Sequence, residues 1–104
     1  MPAPLRWTDQ ELLLAVEAYL KMLKYQKDKT AFKKFEVNLE LQGKIQRSRS
    51  SIERRFQNIS SVLANHNLPF VSGYVPLNNV GPTNDEKIWK LIQQSKTIID
   101  AAKL

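Results

Sequence analysis

The chain has 104 residues and carries 16 Lys and Arg against 10 Asp and Glu, a formal net charge of +6. That length allows one domain, which buries about 60–70% of its unfolded surface; its 42% hydrophobic and 25% charged content excludes a wholly disordered chain. With no cysteine and one histidine, His66, disulfide scaffolds, thiolate metal sites and His-rich metal sites are excluded, and no cofactor is expected.

The charge is uneven. Residues 1–20 carry Arg6 against Asp9, Glu11 and Glu17. Residues 21–55 hold eleven bases against Asp28, Glu36, Glu40 and Glu53, a local excess of +7, and residues 56–104 add +1. Clustered bases suit a polyanion such as nucleic acid or an acidic membrane surface; a solvated lysine-rich face is the bland reading of the same residues. No apolar run approaches the ~20 residues of a membrane span, and the start, Met1-Pro-Ala-Pro-Leu-Arg6, lacks the apolar stretch of a signal peptide. A basic cytoplasmic protein is expected.

In chain order, the first predicted element opens at Thr8-Asp-Gln-Glu11, a capping box, with Trp7 and Leu12 at the spacing of a hydrophobic staple. Leu12, Leu13, Val16, Tyr19, Leu20 and Leu23 recur at helical spacing and predict a helix from about Asp9 to Tyr25. A second helix is expected to be capped by Thr30, to face inward with Phe32, Phe35, Val37 and Leu39, and to stop at Gly43. The third should open at Ser50-Ser-Ile-Glu53, a second capping box, and run to about Asn65. Ile52, Phe56, Ile59 and Leu63 fall within about 60° of one another on it, a core stripe, while Arg54, Gln57, Asn58 and Ser61 fall on the opposite side. Amides, arginines and small hydroxyls are the groups that bond base edges and phosphates.

Residues 68–82, punctuated by Pro, Gly and Asn but carrying Phe70, Val71, Tyr74, Val75, Leu77 and Val80, predict an ordered loop, with Phe70 and Tyr74 weighed as core cover against contacts to a splayed base. Thr83-Asn-Asp-Glu86 has the form of a third capping box; Ile88, Trp89, Leu91, Ile92, Ile98, Ile99 and Ala102 then predict a fourth helix reaching the C-terminus. The expected fold is all-α and a single domain over 1–104: a three-helix, helix-turn-helix-like core (6–67), an ordered loop (68–82) and a C-terminal helix (83–104).

Three short helices with arginines before the third match the helix-turn-helix plan, in which the last helix enters the major groove of duplex DNA. On that plan Arg54, Gln57, Asn58 and Ser61 face bases. Arg47, Arg49, Ser50 and Ser51 hold phosphates at a helix N-terminus, Arg55 lies close by, and Lys33, Lys34 and Lys44, with Lys24, Lys27 and Lys29, supply nonspecific attraction. Asp85 and Glu86 suit a helix N-terminus without catalysis. No Gly-rich phosphate loop, converging carboxylate pair or metal-ligand set is visible, so no enzyme is expected.

The segment from Arg47 to Leu63 fits an RSxxSIExxxQNISxVL-like pattern. With Trp7-Thr8, Glu11 and Tyr19 before it and Leu68-Pro-Phe70 and Gly73-Tyr-Val-Pro76 after it, roughly residues 6–80 resemble the N-terminal helical domain found ahead of bacterial HNH-type restriction endonucleases and related defence proteins. The matching positions are Arg47, Ser51, Glu53, Gln57, Asn58 and Ser60; the chain departs from the family at Gln46, where glycine is usual, and at Phe56, where histidine is expected. The resemblance implies a target-recognition module for double-stranded DNA, with or without a base modification, and a nuclease domain covalently linked to it. The Trp7-Thr8…Glu11 opening is also similar to Myb/SANT-like domains. The alternative is a protein-interaction or homodimerisation module, associating through the stripe of Ile88, Leu91, Ile92, Ile98 and Ile99, with a basic face that only solubilises.

Overall fold

A computed structural model describes residues 6–78 and 81–95, and among these the chain is all-helical, with four helices: α1 (Asp9–Lys27), α2 (Lys34–Ile45), α3 (Arg49–Asn65) and α4 (Pro82–Gln93). α1 and α3 form the centre, each touching the other and both α2 and α4, so α2 and α4 flank this pair.

α1 starts as its sequence dictates. Thr8 Oγ1 accepts from the Glu11 N–H at 3.1 Å while the Thr8 N–H donates to Glu11 Oε1 at 2.8 Å, satisfying two donors that a helix start leaves orphaned. Trp7 and Leu12 are both buried, as are Val16, Tyr19, Leu20 and Leu23; Leu13 stands half-exposed. The helix runs two residues past Tyr25 and closes where the Thr30 N–H donates to the Tyr25 carbonyl at 2.8 Å.

α2 departs from expectation in its start, stop and inward face. Thr30 is spent on the end of α1, and α2 opens four residues later at Lys34, with Lys33 as an N-cap that makes no side-chain bond. Gly43 lies inside the helix; the helix ends instead at Gln46, in left-handed conformation at φ 42° and ψ 44°. The buried residues are Asn38, Leu41 and Ile45, whereas Phe35 and Leu39 are 57% and 54% exposed. A polar anchor sets this rotation: Asn38 Nδ2 donates to the Arg49 carbonyl at 3.2 Å, and Gln42 Nε2 donates to Asn38 Oδ1 at 2.8 Å. Phe32 and Val37 pack against the core from its edge.

Three residues, Gln46, Arg47 and Ser48, join α2 to α3, the link length of a helix-turn-helix. Ser48 rather than Ser50 or Ser51 caps α3, its Oγ accepting from the Ser51 N–H at 3.1 Å. The box expected at Ser50–Glu53 does not form, because both residues already lie inside the helix and Glu53 pairs with Arg49 at 3.2 Å. The core stripe is as expected: Ile52, Phe56, Ile59 and Leu63 are each fully buried, and each contributes on the order of 1.5–3 kcal/mol by leaving water.

The segment after α3 is an ordered loop over its described residues. Val71 and Tyr74 are buried, and Phe70 packs on the core edge. Tyr19 Oη hydrogen-bonds Ser60 Oγ at 2.7 Å and accepts from the Val71 N–H at 2.9 Å, which ties α1, α3 and the loop at one atom. Burial pushes the Tyr19 phenol up to about 12. The rings of Tyr19, Phe56 and Tyr74 lie 5.2–6.4 Å apart. At the far end of α1, Gln26 donates from Nε2 to the Phe70 carbonyl at 3.1 Å and accepts the Ser72 N–H on Oε1 at 2.7 Å.

α4 begins on Pro82 after Gly81, which sits at φ 82° and makes no side-chain cap. The box expected at Thr83–Glu86 therefore does not form; Thr83 is already helical, and proline at the first position supplies the helical φ. Ile88 and Ile92 are fully buried in the common core, and Trp89 stacks on His66 with ring centroids 3.6 Å apart and planes 2° from parallel. Ile98, Ile99 and Ala102, expected on this helix, lie outside the described residues. No buried side-chain nitrogen or oxygen among the described residues lacks a hydrogen-bond partner.

Candidate nucleic-acid interface

The polar strip of α3 opposite the core is divided by the loop. Over its second half the loop lies along the helix: the Leu77 N–H donates to the Gln57 carbonyl at 3.1 Å, Asn58 Nδ2 donates to the Leu77 carbonyl at 2.9 Å, and Ser61 Oγ donates to Asn78 Oδ1 at 2.6 Å. Asn58 and Ser61 are accordingly 4% and 1% exposed. Both were expected to face bases. Instead their polar groups hold the loop, because a polar side chain opposite the core also suits a second backbone laid over it.

The first half stays open. Ser50 and Arg54 are exposed, and Ser51 and Gln57 half-exposed. Arg49 is exposed beside them, its Nε paired with Glu53 Oε1 and its guanidinium 5.6 Å from the Phe35 ring centre. The expected base-facing set therefore contracts to Arg54 and Gln57, with Arg49, Ser50 and Ser51 alongside.

Arg47 was expected to hold a phosphate. It turns inward, with its side chain 7% exposed. Its Nε donates to Glu11 Oε2 at 2.8 Å, and Nη2 donates to Glu11 Oε1 at 2.9 Å and to the Arg6 carbonyl at 3.1 Å. The two-point pair holds the Glu11 carboxyl down at about 2 and raises the Arg47 guanidinium above its usual value. Glu11 thus closes the cap of α1 and fastens the turn before α3. The Trp7 ring lies beside both Arg47 and Arg55, whose guanidinium carbons are 5.3 and 4.9 Å from its centre.

The three lysines of α2 and its cap are spread along that helix. Lys33 is exposed at the start of α2. Lys34 crosses Gly73 to reach the Tyr74 ring at 5.5 Å; Gly73, at φ 94°, is the residue that permits this, since a Cβ there would meet the Lys34 ammonium. Lys44 sits at the other end of α2, paired with Glu40 at 3.4 Å. Lys34, Phe35, Arg49, Gln57, Gly73 and Tyr74 surround a cleft of about 300 Å³ beside the first turns of α3, into which Asn38 and Glu53 also face. Burial pushes the Tyr74 phenol up to about 12. Sequence reasoning missed this cleft, since Gly73 and Tyr74 arrive from a loop whose path nothing local specifies.

Among the described residues no three His, Cys, Asp or Glu side chains gather as a metal site, and no helix is long and apolar enough to cross a membrane. Compared with known proteins, the chain matches no family model, no curated protein and no solved structure. Its function must therefore be argued from its own geometry.

Proposed function

We propose that the chain binds double-stranded DNA in the cytoplasm as a target-recognition module of the bacterial restriction or defence type, non-catalytic itself and serving a linked nuclease domain, with the first half of α3 entering the major groove. The observation that carries this is the open start of α3. Arg49, Ser50, Ser51, Arg54 and Gln57 stand together after a three-residue turn, and their one acid, Glu53, is neutralised by Arg49. In helix-turn-helix docking the N-terminal residues of the recognition helix meet base edges, and arginine and glutamine form two-point bonds to guanine and adenine there. The resemblance of residues 47–63 to restriction-associated domains supports the same reading. The competing module, self-association through α4, loses Ile88 and Ile92, which are fully buried against their own chain.

Salt titration of binding to a duplex panel, with and without modified bases, tests the proposal. Four to six phosphate contacts predict a log–log slope of about −4 to −5. Gln57→Ala is expected to relax preference at one base position by ~1–3 kcal/mol, while Lys33→Ala weakens all duplexes alike. A slope near zero overturns the reading.

A further inference from the structure

Arg47 and Arg55 share the same tryptophan, but among the described residues only one of them has a carboxylate partner. Arg47 has Glu11. Arg55 is half-buried, makes no ion pair and no hydrogen bond among the described residues, and has another guanidinium beside the same Trp7 ring. Burial and the charge of Arg47 both push its pKa below the usual arginine value. Arginine cannot leave such a position by losing its proton, and the Trp7 face beside it offers a cation–π contact but no hydrogen-bond acceptor for its N–H groups. A methionine or leucine would cover Trp7 without leaving donors unmet. One turn earlier, on the same flank, the half-buried Ser51 hydroxyl also has no hydrogen-bond partner among the described residues; the bond at that residue is made by its backbone N–H. Arg6, next to Trp7 in the chain, is exposed and adds a further positive charge.

We infer that Arg55, walled by Trp7 and assisted by Ser51, is a seat for a phosphate oxyanion. The chemistry matches: five N–H donors in a rigid fork suit the oxygens of phosphate two at a time, a hydroxyl one turn away suits a third, and the surrounding excess of arginine favours a dianion over a carboxylate. That this phosphate belongs to a duplex backbone rests on the reading proposed above. The seat itself rests on the geometry around Trp7.

The test follows the Trp7 indole N–H resonance of the full chain while inorganic phosphate, acetate and a short duplex are each titrated. A saturable shift with phosphate, absent with acetate and abolished in Arg55→Met, is the expected result. An equal shift with acetate overturns the phosphate assignment. With duplex, Arg55→Met should lose affinity roughly tenfold and show a salt slope shallower by about 0.9. Arg55→Lys, which keeps the charge but not the fork, should keep the slope and lose part of the affinity. The unliganded Arg55→Met protein should melt close to the wild type, because methionine keeps the cover on Trp7 and the native side chain has no hydrogen bond or ion pair among the described residues to lose. The wild-type titrations stand without any variant. If the duplex binds but phosphate leaves Trp7 unmoved, the seat is overturned and the DNA reading survives. If phosphate moves Trp7 but no duplex binds at low salt, the seat survives and the DNA reading falls.

Discussion

The two halves of α3 present similar polar residues away from the core, yet they are held by different physics. The first half, with the turn that leads into it, is fastened by charge: Glu11 on Arg47, Glu53 on Arg49, and guanidinium groups beside Trp7 and Phe35. The second half is fastened by neutral hydrogen bonds from Asn58 and Ser61 to a loop that covers it. The contrast teaches that a helical wheel locates the side opposite the core but says nothing of what lies on that side. Ser61 and Arg54 share a face at helical spacing; one is buried and the other stands in solvent.

The largest test of this contrast is to remove the charge from one half only. Arg47→Met should cost about 2–3 kcal/mol in denaturant unfolding, since it leaves Glu11 without its two charge-assisted bonds. Acid should act in the same way. The Glu11 carboxyl titrates at about 2 in the folded chain against an ordinary 4.5, so the native state binds its proton less readily than the unfolded one. Its stabilisation is fully present above pH 4.5 and is lost as the pH falls toward 2. Glu11→Gln should flatten that part of the pH profile, while Asn58→Ala should leave it intact.

Next in size, Asn58→Ala should cost about 1–2 kcal/mol by unbonding the Leu77 carbonyl. It should also raise amide exchange around residues 75–78, without altering the salt slope of duplex binding. If Asn58→Ala relaxed base preference instead, the division of the helix into open and covered halves would be wrong. A smaller effect, of opposite sign, is expected at the turn before α3. Gln46 adopts a left-handed conformation that costs a side-chain-bearing residue energy, so Gln46→Gly should stabilise by roughly 0.5–1 kcal/mol in thermal melts. Smallest of all, Arg54→Ala should change stability by less than about 0.5 kcal/mol, and its effect should appear only in DNA binding.

The same contrast explains which parts of the molecule were legible in the sequence. Thr8 and Glu11 announce the start of α1 because a capping box is a local interaction, closed within four residues. The stripe of Ile52, Phe56, Ile59 and Leu63 is legible because period and hydrophobicity agree there. At Ser50–Glu53 and Thr83–Glu86 the same box pattern misled: Ser48 and the Gly81–Pro82 pair offered earlier starts, so the later residues fell inside their helices. For α2, apolar Phe35 and Leu39 pointed to one face while Asn38, with a carbonyl to bond on α3, selected another. Within the candidate site, Arg49, Arg54 and Gln57 were legible as surface chemistry. The inward turn of Arg47 depends on Glu11, 36 residues away, and the covering of Asn58 depends on Leu77, 19 residues away. No local pattern carries such distances.

The Gln26 amide has a consequence for the loop beyond α3. By donating to the Phe70 carbonyl and accepting from the Ser72 N–H, one side chain meets both kinds of peptide group, as a neighbouring strand would in a sheet. The loop thus gains a sheet-like pairing with no second strand. It is a pairing that discriminates by direction. A glutamate at this place would keep the acceptor for Ser72 and set an oxygen against the oxygen of Phe70, so the isosteric acid would repel at one point where the amide binds at two. An amide with one fewer methylene would fall short of both. The entrance of the loop is therefore specified by the length and polarity of one residue at the end of α1, more than forty positions before it.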